Sequence, residues 1–110
     1  MKKEIEENIL RSSSIIKESI SLSSDIEEAV TIIVNCLKNG NKIILFGNGG
    51  SAADAQHIAA EFIGRFQKER KSYPAISLTS DSSVITSLSN DYSFDNEITL
   101  QNQDWRFLKI

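Results

Sequence analysis

Isoleucines recur at helical spacing through the first twenty residues, at Ile5, Ile9, Ile16 and Ile20, with Leu10 and Ile15 widening the stripe. That period predicts an amphipathic helix from about Lys2 to Ile20. Its serines make it weak in isolation, so it needs a partner surface, from the rest of the domain or from another subunit. Ser24 or Asp25 can cap a second helix, which carries Ile26, Ala29, Val30, Ile33 and Leu37 on one side and stops at Asn39 and Gly40. Lys42 to Phe46 then breaks the helical period with a short, β-branched, almost wholly apolar run. That composition predicts a parallel strand covered on both faces. Gly47, Asn48, Gly49 and Gly50 make the turn out of it, Ser51 takes the helix N-cap, and a helix follows to about Gln67. Lys68 to Lys71 form a charged connection, Pro74 punctuates it, and Ala75 to Leu78 read as a second strand. Thr79 to Asp81 turn the chain into a third helical stretch, Ser82 to Leu88.

The order helix, helix, strand, helix, strand, helix implies parallel strands joined by right-handed crossovers. Two strands do not finish such a sheet, because more are needed to bury the helices' apolar faces. After Phe94 the sequence DNEITLQNQDWRFLKI shows no clear succession of elements, and Trp105 and Phe107 carry no assignable role. The chain has 110 residues, whereas complete doubly wound domains run to about 150 or more. We therefore expect a partial α/β domain with its N-terminal helices over residues 1–95, and a divergent tail over 96–110.

Charge and cysteine content narrow the class. A formal net charge of −3 offers no basic surface for nucleic acid or an anionic membrane. The single cysteine, Cys36, excludes an internal disulfide and a cysteine metal cluster, and it reads as a small core residue in a reducing compartment. Glutamates interrupt any signal-peptide core in MKKEIEENIL, and no apolar run approaches the roughly 18 residues of a membrane span. The expectation is a soluble cytoplasmic protein.

The chemistry concentrates between residues 45 and 70. Free N–H groups at the glycine turn, helped by the helix dipole, favour an anion such as a phosphate or carboxylate. The turn is not a P-loop, since no GKS or GKT follows, and it lacks the GxGxxG spacing of dinucleotide sites. His57, Glu61 and Arg65 stand four residues apart, which predicts one titratable stripe on one helix. A lone histidine on a helix is more often structural, but a His/Glu pair at this spacing can hold one Zn²⁺ from a single face, with further ligands from elsewhere in the fold or from another subunit. Glu61 is flanked by Ile58, Ala59, Ala60, Phe62 and Ile63, which places its carboxylate against apolar surface, the setting of a general base. The ordinary alternative is a solvated glutamate paired with Arg65. Asn90 and Asp91 read first as residues that close a helix. Together the turn and the stripe suit a phosphorylated, carbonyl-bearing substrate.

The segment GNGGSAADAQHIAAEFIGRFQKER, followed by PAISLTSDSSVITSLSNDYSF, resembles the N-terminal half of the phosphoheptose isomerase family of the sugar isomerase (SIS) domain superfamily. The resemblance runs from about Asp25 to Phe94. It implies a flavodoxin-like αβα sandwich with a parallel sheet, truncated here to its N-terminal half, and a homotetramer with active sites built between subunits. It further implies substrate contacts from Asn48, Gly49, Gly50 and Ser51, zinc ligation by His57 and Glu61, acid/base chemistry at Glu61, sugar contacts from Asn90 and Asp91, and electrostatic support from Arg65. The implied reaction converts sedoheptulose 7-phosphate to D-glycero-D-manno-heptose 7-phosphate, for heptose biosynthesis. The family's second half supplies an STSGxS-type phosphate loop and a late glutamine and histidine, none of which stands in this sequence, so impaired activity is expected. Ser89 and Ser93 stand where the family has glycine, and the tail after Asp95 departs from the FxRQ-type continuation. The competing expectation is a non-catalytic SIS module that binds a sugar phosphate or a protein partner.

Overall fold

The computed structural model describes residues 1–65 and 67–107. The chain divides into two compact units, residues 1–35 and the residues from Cys36 onward.

In the first unit, helix α1 (Lys2–Glu18) passes through a single 3₁₀ turn at Ser19–Leu22 into helix α2 (Ser23–Lys38), which runs on into the second unit. The expected fresh cap at Ser24 or Asp25 is absent, because the helical backbone is only tightened here and not broken. Local serine chemistry accounts for the tightening: the Ser21 and Ser23 hydroxyls donate to carbonyls three residues back, at 2.8 and 2.6 Å, and such back-bonding competes with the regular helical ladder. None of the residues of α1 or α2 is buried. The predicted apolar stripe is present and exposed, with Ile9, Ile16 and Ile20 each more than three-fifths accessible.

The α2 helix ends as its sequence predicts. Gly40 adopts φ +73°, its N–H donates to the Leu37 carbonyl and that of Asn41 to the Cys36 carbonyl. This is the paired closure that a left-handed residue just past a helix permits.

The second unit continues with strand β1 (Ile43–Leu45), helix α3 (Gly50–Ile63), strand β2 (Ala75–Ser77), helix α4 (Ser82–Asp91) and helix α5 (Phe94–Phe107). The strands pair in parallel, Ile43 opposite Ala75 and Leu45 opposite Ser77. Pro74 sits just before the strand and needs no N–H there, and its carbonyl accepts from Ile43 N at 2.9 Å. Helix α3 packs on both strands through Ala55 and Ala59, one helical turn apart and 4% and 6% exposed, whose small side chains allow close approach. Leu78, 2% exposed, anchors the turn after β2, with its N–H on the Leu45 carbonyl at 2.9 Å.

Two expectations need correction. β1 is not covered on both faces: Ile43, Ile44 and Leu45 are all half-buried, because a two-stranded sheet lacks flanking strands and among the described elements β1 meets only β2 and α3. The segment after Phe94 is not patternless but forms α5, packed on α4 and crossing the position where a divergent tail was expected to begin. Its inward face is polar, which hides it from a hydrophobic period. Glu97 and Gln101, one turn apart, are 3% and 6% exposed. The Gln101 amide donates to the Leu78 carbonyl at 2.9 Å and to the Glu97 carboxylate. No helix among the described residues is long and apolar enough to cross a membrane.

Candidate functional site

The glycine turn follows β1 directly, and two of its glycines are dictated by sterics. A Cβ on Gly47 would lie 2.5 Å from Ser51 Oγ and 2.7 Å from the Ser51 carbonyl carbon and oxygen, so no side chain fits. Gly49 holds φ +58°, ψ −122°, a region open essentially to glycine alone. That conformation makes Gly49, and not Ser51, the N-cap of α3. Ser51 lies already within the first turn. Its hydroxyl donates to the Asn48 carbonyl at 2.8 Å and accepts from the Asn48 N–H at 2.9 Å, so it braces the turn internally. No side chain caps the helix, and the Gly49 and Gly50 amides have no hydrogen-bond partner among the described residues. They are the donors that a helix start offers to an anion.

The turn is tied to the end of β2. Gln56 Nε2 donates to the Thr79 carbonyl at 3.0 Å, and Thr79 Oγ1 donates to the Ala52 carbonyl at 3.0 Å. These bonds fix the first half of α3 against the strand ends, where ligands of open parallel sheets bind.

The other end of α3 carries His57 and Glu61, on the opposite side of the helix from the sheet-facing Ala55 and Ala59. His57 Nε2 and Glu61 Oε1 are 3.7 Å apart, with side chains 78% and 37% exposed. The Glu61 side chain is partly buried, and the pair at i, i+4 forms as the spacing predicts. Arg65 does not join it. The helix stops at Ile63, short of the expected Gln67, because Gly64 leaves the helix in an extended conformation (ψ −172°) while its N–H still reaches the Ala60 carbonyl at 2.8 Å. Arg65 thus lies beyond the stripe and forms an ion pair with Glu69.

The cation beside Glu61 is Arg70, which the sequence reading passed over as part of a charged connection. Its Nη1 donates to the Phe62 carbonyl at 2.9 Å and to the Lys71 carbonyl at 3.2 Å, and its Nη2 donates to the Glu61 carbonyl. The guanidinium lies 4.7 Å from the centroid of the Tyr73 ring, within cation–π range. Glu61, Phe62, Arg70 and Tyr73 line one shallow depression of about 230 Å³. A basic residue a few positions past a helix end, followed by an aromatic, is the signal that could have found them.

Asn90 and Asp91 are the last two residues of α4, as their helix-closing character suggested. They are joined by a side-chain bond of 3.3 Å. The same helix starts at Asp81, whose carboxylate accepts from Val84 N at 3.0 Å. Ser89, where the family resemblance expects glycine, has a buried hydroxyl with no hydrogen-bond partner among the described residues.

The predicted site residues therefore fall into separate groups within one chain. Glu61 stands eleven positions after Gly50 in α3, or about 16 Å along the helix axis. Helix α4, with Asn90 and Asp91 at its end, packs on α5 and not on α3. Among the described residues no group of three or more His, Cys, Asp or Glu side chains could hold a metal ion. His57 and Glu61 supply two donors of the chemistry zinc takes, which does not complete its usual four.

Comparison with known proteins shows what the chain is similar to. The phosphoheptose isomerase of Aquifex aeolicus (strain VF5) is 60% identical over 73 residues, which take in 66% of this chain and 38% of that protein. The phosphoheptose isomerase of Aliarcobacter butzleri (strain RM4018) is 50% identical over 91 residues, 83% of this chain and 48% of that protein. The chain thus spans under half the length of these relatives. The solved structure of a phosphoheptose isomerase from Francisella tularensis superposes with a TM-score of 0.66 at 32% identity, over 86% of this chain and 53% of that one. That of the Neisseria gonorrhoeae phosphoheptose isomerase gives 0.62 at 37% identity, over 86% and 52%. The SIS domain model matches residues 6–104, nearly the whole chain and most of α5 with it, so this protein belongs to the SIS domain family.

Proposed function

We propose that this chain contributes to an aldose–ketose isomerase that converts sedoheptulose 7-phosphate to D-glycero-D-manno-heptose 7-phosphate. The observation that carries the reading is the half-buried Glu61 carboxylate, paired with His57 on the outward side of α3, in a residue that also lines a shallow depression. The likeness to phosphoheptose isomerases supports the substrate.

In this reading Glu61 is the base. It takes a proton from C1 of the ketose, an enediol forms, and the proton returns at C2 while the carbonyl moves to C1. The Gly49 and Gly50 amides, with Asn48 and Ser51 shaping their turn, hold the phosphate or a sugar oxygen, and Asn90, Asp91 and Arg65 supply further polar contacts. Because the turn and Glu61 stand about 16 Å apart along one helix, each belongs to a different site completed by another copy of the chain. The exposed isoleucine stripe of α1 supports such association, and a homotetramer is the proposed assembly. A single copy held apart from others has little or no turnover. His57 and Glu61 would hold part of the shell of a zinc ion, which when bound polarises the substrate carbonyl; the described residues do not complete that shell. The proposed compartment is the cytoplasm, in keeping with an unpaired Cys36.

The test is solvent deuterium exchange at C1 of sedoheptulose 7-phosphate, followed by NMR alongside a coupled assay for the aldose. Exchange that Glu61→Gln abolishes is the expected result. Absence of both binding and exchange overturns the reading. Binding without exchange favours the second reading, a non-catalytic module that holds a sugar phosphate at its uncapped helix start.

A further inference from the structure

We infer that Arg70 is the positioning residue for Glu61, an inference that rests on the proposed role of Glu61 as base. The guanidinium reaches back across the end of α3 and grips the carbonyl of Glu61 itself, together with those of Phe62 and Lys71. A helix end leaves its last carbonyls without intrahelical donors, and a cation there also complements the dipole. The two carbonyls differ in a way that makes the effect local. Phe62 O also accepts from Tyr73 N at 3.0 Å, so it keeps a partner without Arg70. Glu61 O has no other partner among the described residues. The residue whose side chain is the proposed base is therefore the one whose backbone depends on Arg70.

Arg70 is itself fixed. Three of its five N–H donors are committed to carbonyls, and its planar face lies over the Tyr73 ring. Both Nη1 hydrogens are spent on the backbone, which suits a clasp better than a substrate contact. Arg70 and Tyr73 also line the depression that Glu61 lines, so the same clasp forms part of its wall. Arg65, closer in sequence, cannot substitute, because it lies past Gly64 and is paired with Glu69.

Two measurements on the full chain test this. In Arg70→Ala, amide hydrogen exchange of Phe62 to Gly64 should speed up about tenfold while that of β1 and β2 is unchanged, since a hydrogen bond from a charged donor to a carbonyl is lost locally. With sedoheptulose 7-phosphate as probe, the saturating rate of C1 deuterium exchange should fall about tenfold with KM within about twofold, the pattern of a displaced base and not of a lost binding contact. Arg70→Lys, which keeps the charge but donates as a point and not as a fork, should fall between the two; it carries the test if Arg70→Ala does not fold by circular dichroism. Unchanged exchange at Phe62 to Gly64 overturns the inference, as does a rise in KM with the saturating rate intact. Failure of the isomerase reading looks different: the unsubstituted chain then shows no Glu61-dependent C1 exchange, while the amide measurement still decides whether Arg70 holds the end of α3.

Discussion

The two ends of α3 are built by opposite means. At its start the backbone is fixed by what is missing: Gly47 has no room for a Cβ beside Ser51, and Gly49 occupies a conformation closed to other residues. Every group involved lies within five residues, and the result is a pair of amides without a hydrogen-bond partner among the described residues. At its far end the geometry is fixed by what is added, the long side chain of Arg70 returning over Tyr73 to close the Glu61 and Phe62 carbonyls. The first is local and rigid; the second depends on a loop folding back. The proposed anion capture thus stands on the stiff end of the helix and the proposed proton transfer on the end held by side chains, where Arg70 fixes the backbone that carries the carboxylate.

The sharpest way to break this contrast is Glu61→Gln, which keeps the shape and removes the base. C1 deuterium exchange should fall by about 10²- to 10⁴-fold, with thermal stability little changed; retained exchange would move the chemistry elsewhere. A second experiment asks whether the two ends serve different sites. Mixing Glu61→Gln with Gly49→Ala copies should recover about a quarter of the unsubstituted rate, because one site in four then draws both intact ends from different copies. No recovery would assign both ends to one copy's site. On stability, Gly47→Ala should cost about 3 kcal/mol, since the new Cβ meets backbone that cannot yield, and Gly49→Ala about 2 kcal/mol from its backbone conformation; denaturant melts would read both, and equal small losses would deny the turn its rigidity. The smallest effect is expected at Arg65→Ala. Its ion pair with Glu69 has side chains 74% and 78% exposed, so the melt should move by less than about 0.5 kcal/mol. A larger loss there would mean that Arg65, and not Arg70 alone, supports the end of α3.

Much of this fold is legible in the residues. The period-four isoleucines of α1, the Gly40 closure of α2, the apolar run of β1 and the strand before Leu78 all appear where their patterns place them, within a few residues. Local rules govern each: spacing sets helical faces, glycine sets a left-handed cap, branched aliphatics set strands. The departures have two causes: a distant partner decided α5, whereas nearby glycines decided where α3 starts and stops. Helix α5 leaves no hydrophobic period because Glu97 and Gln101 are buried, with the Gln101 amide donating to the Leu78 carbonyl and to the Glu97 carboxylate, so its buried stripe is polar. The Ser51 cap was misplaced because Gly49 could begin the helix two residues earlier. Arg65 was put on the stripe because the spacing continues past Gly64, although the helix does not.

By itself, then, the sequence determined the strand–helix–strand order, the glycine turn and the pairing of His57 with Glu61, since each follows from patterns local to its own stretch of chain. Only the tertiary structure decided that α5 turns a polar face inward and that Arg70 closes the end of α3 bearing Glu61. Side chains that act across a loop leave no period in the sequence, because their partners are carbonyls, which every residue has.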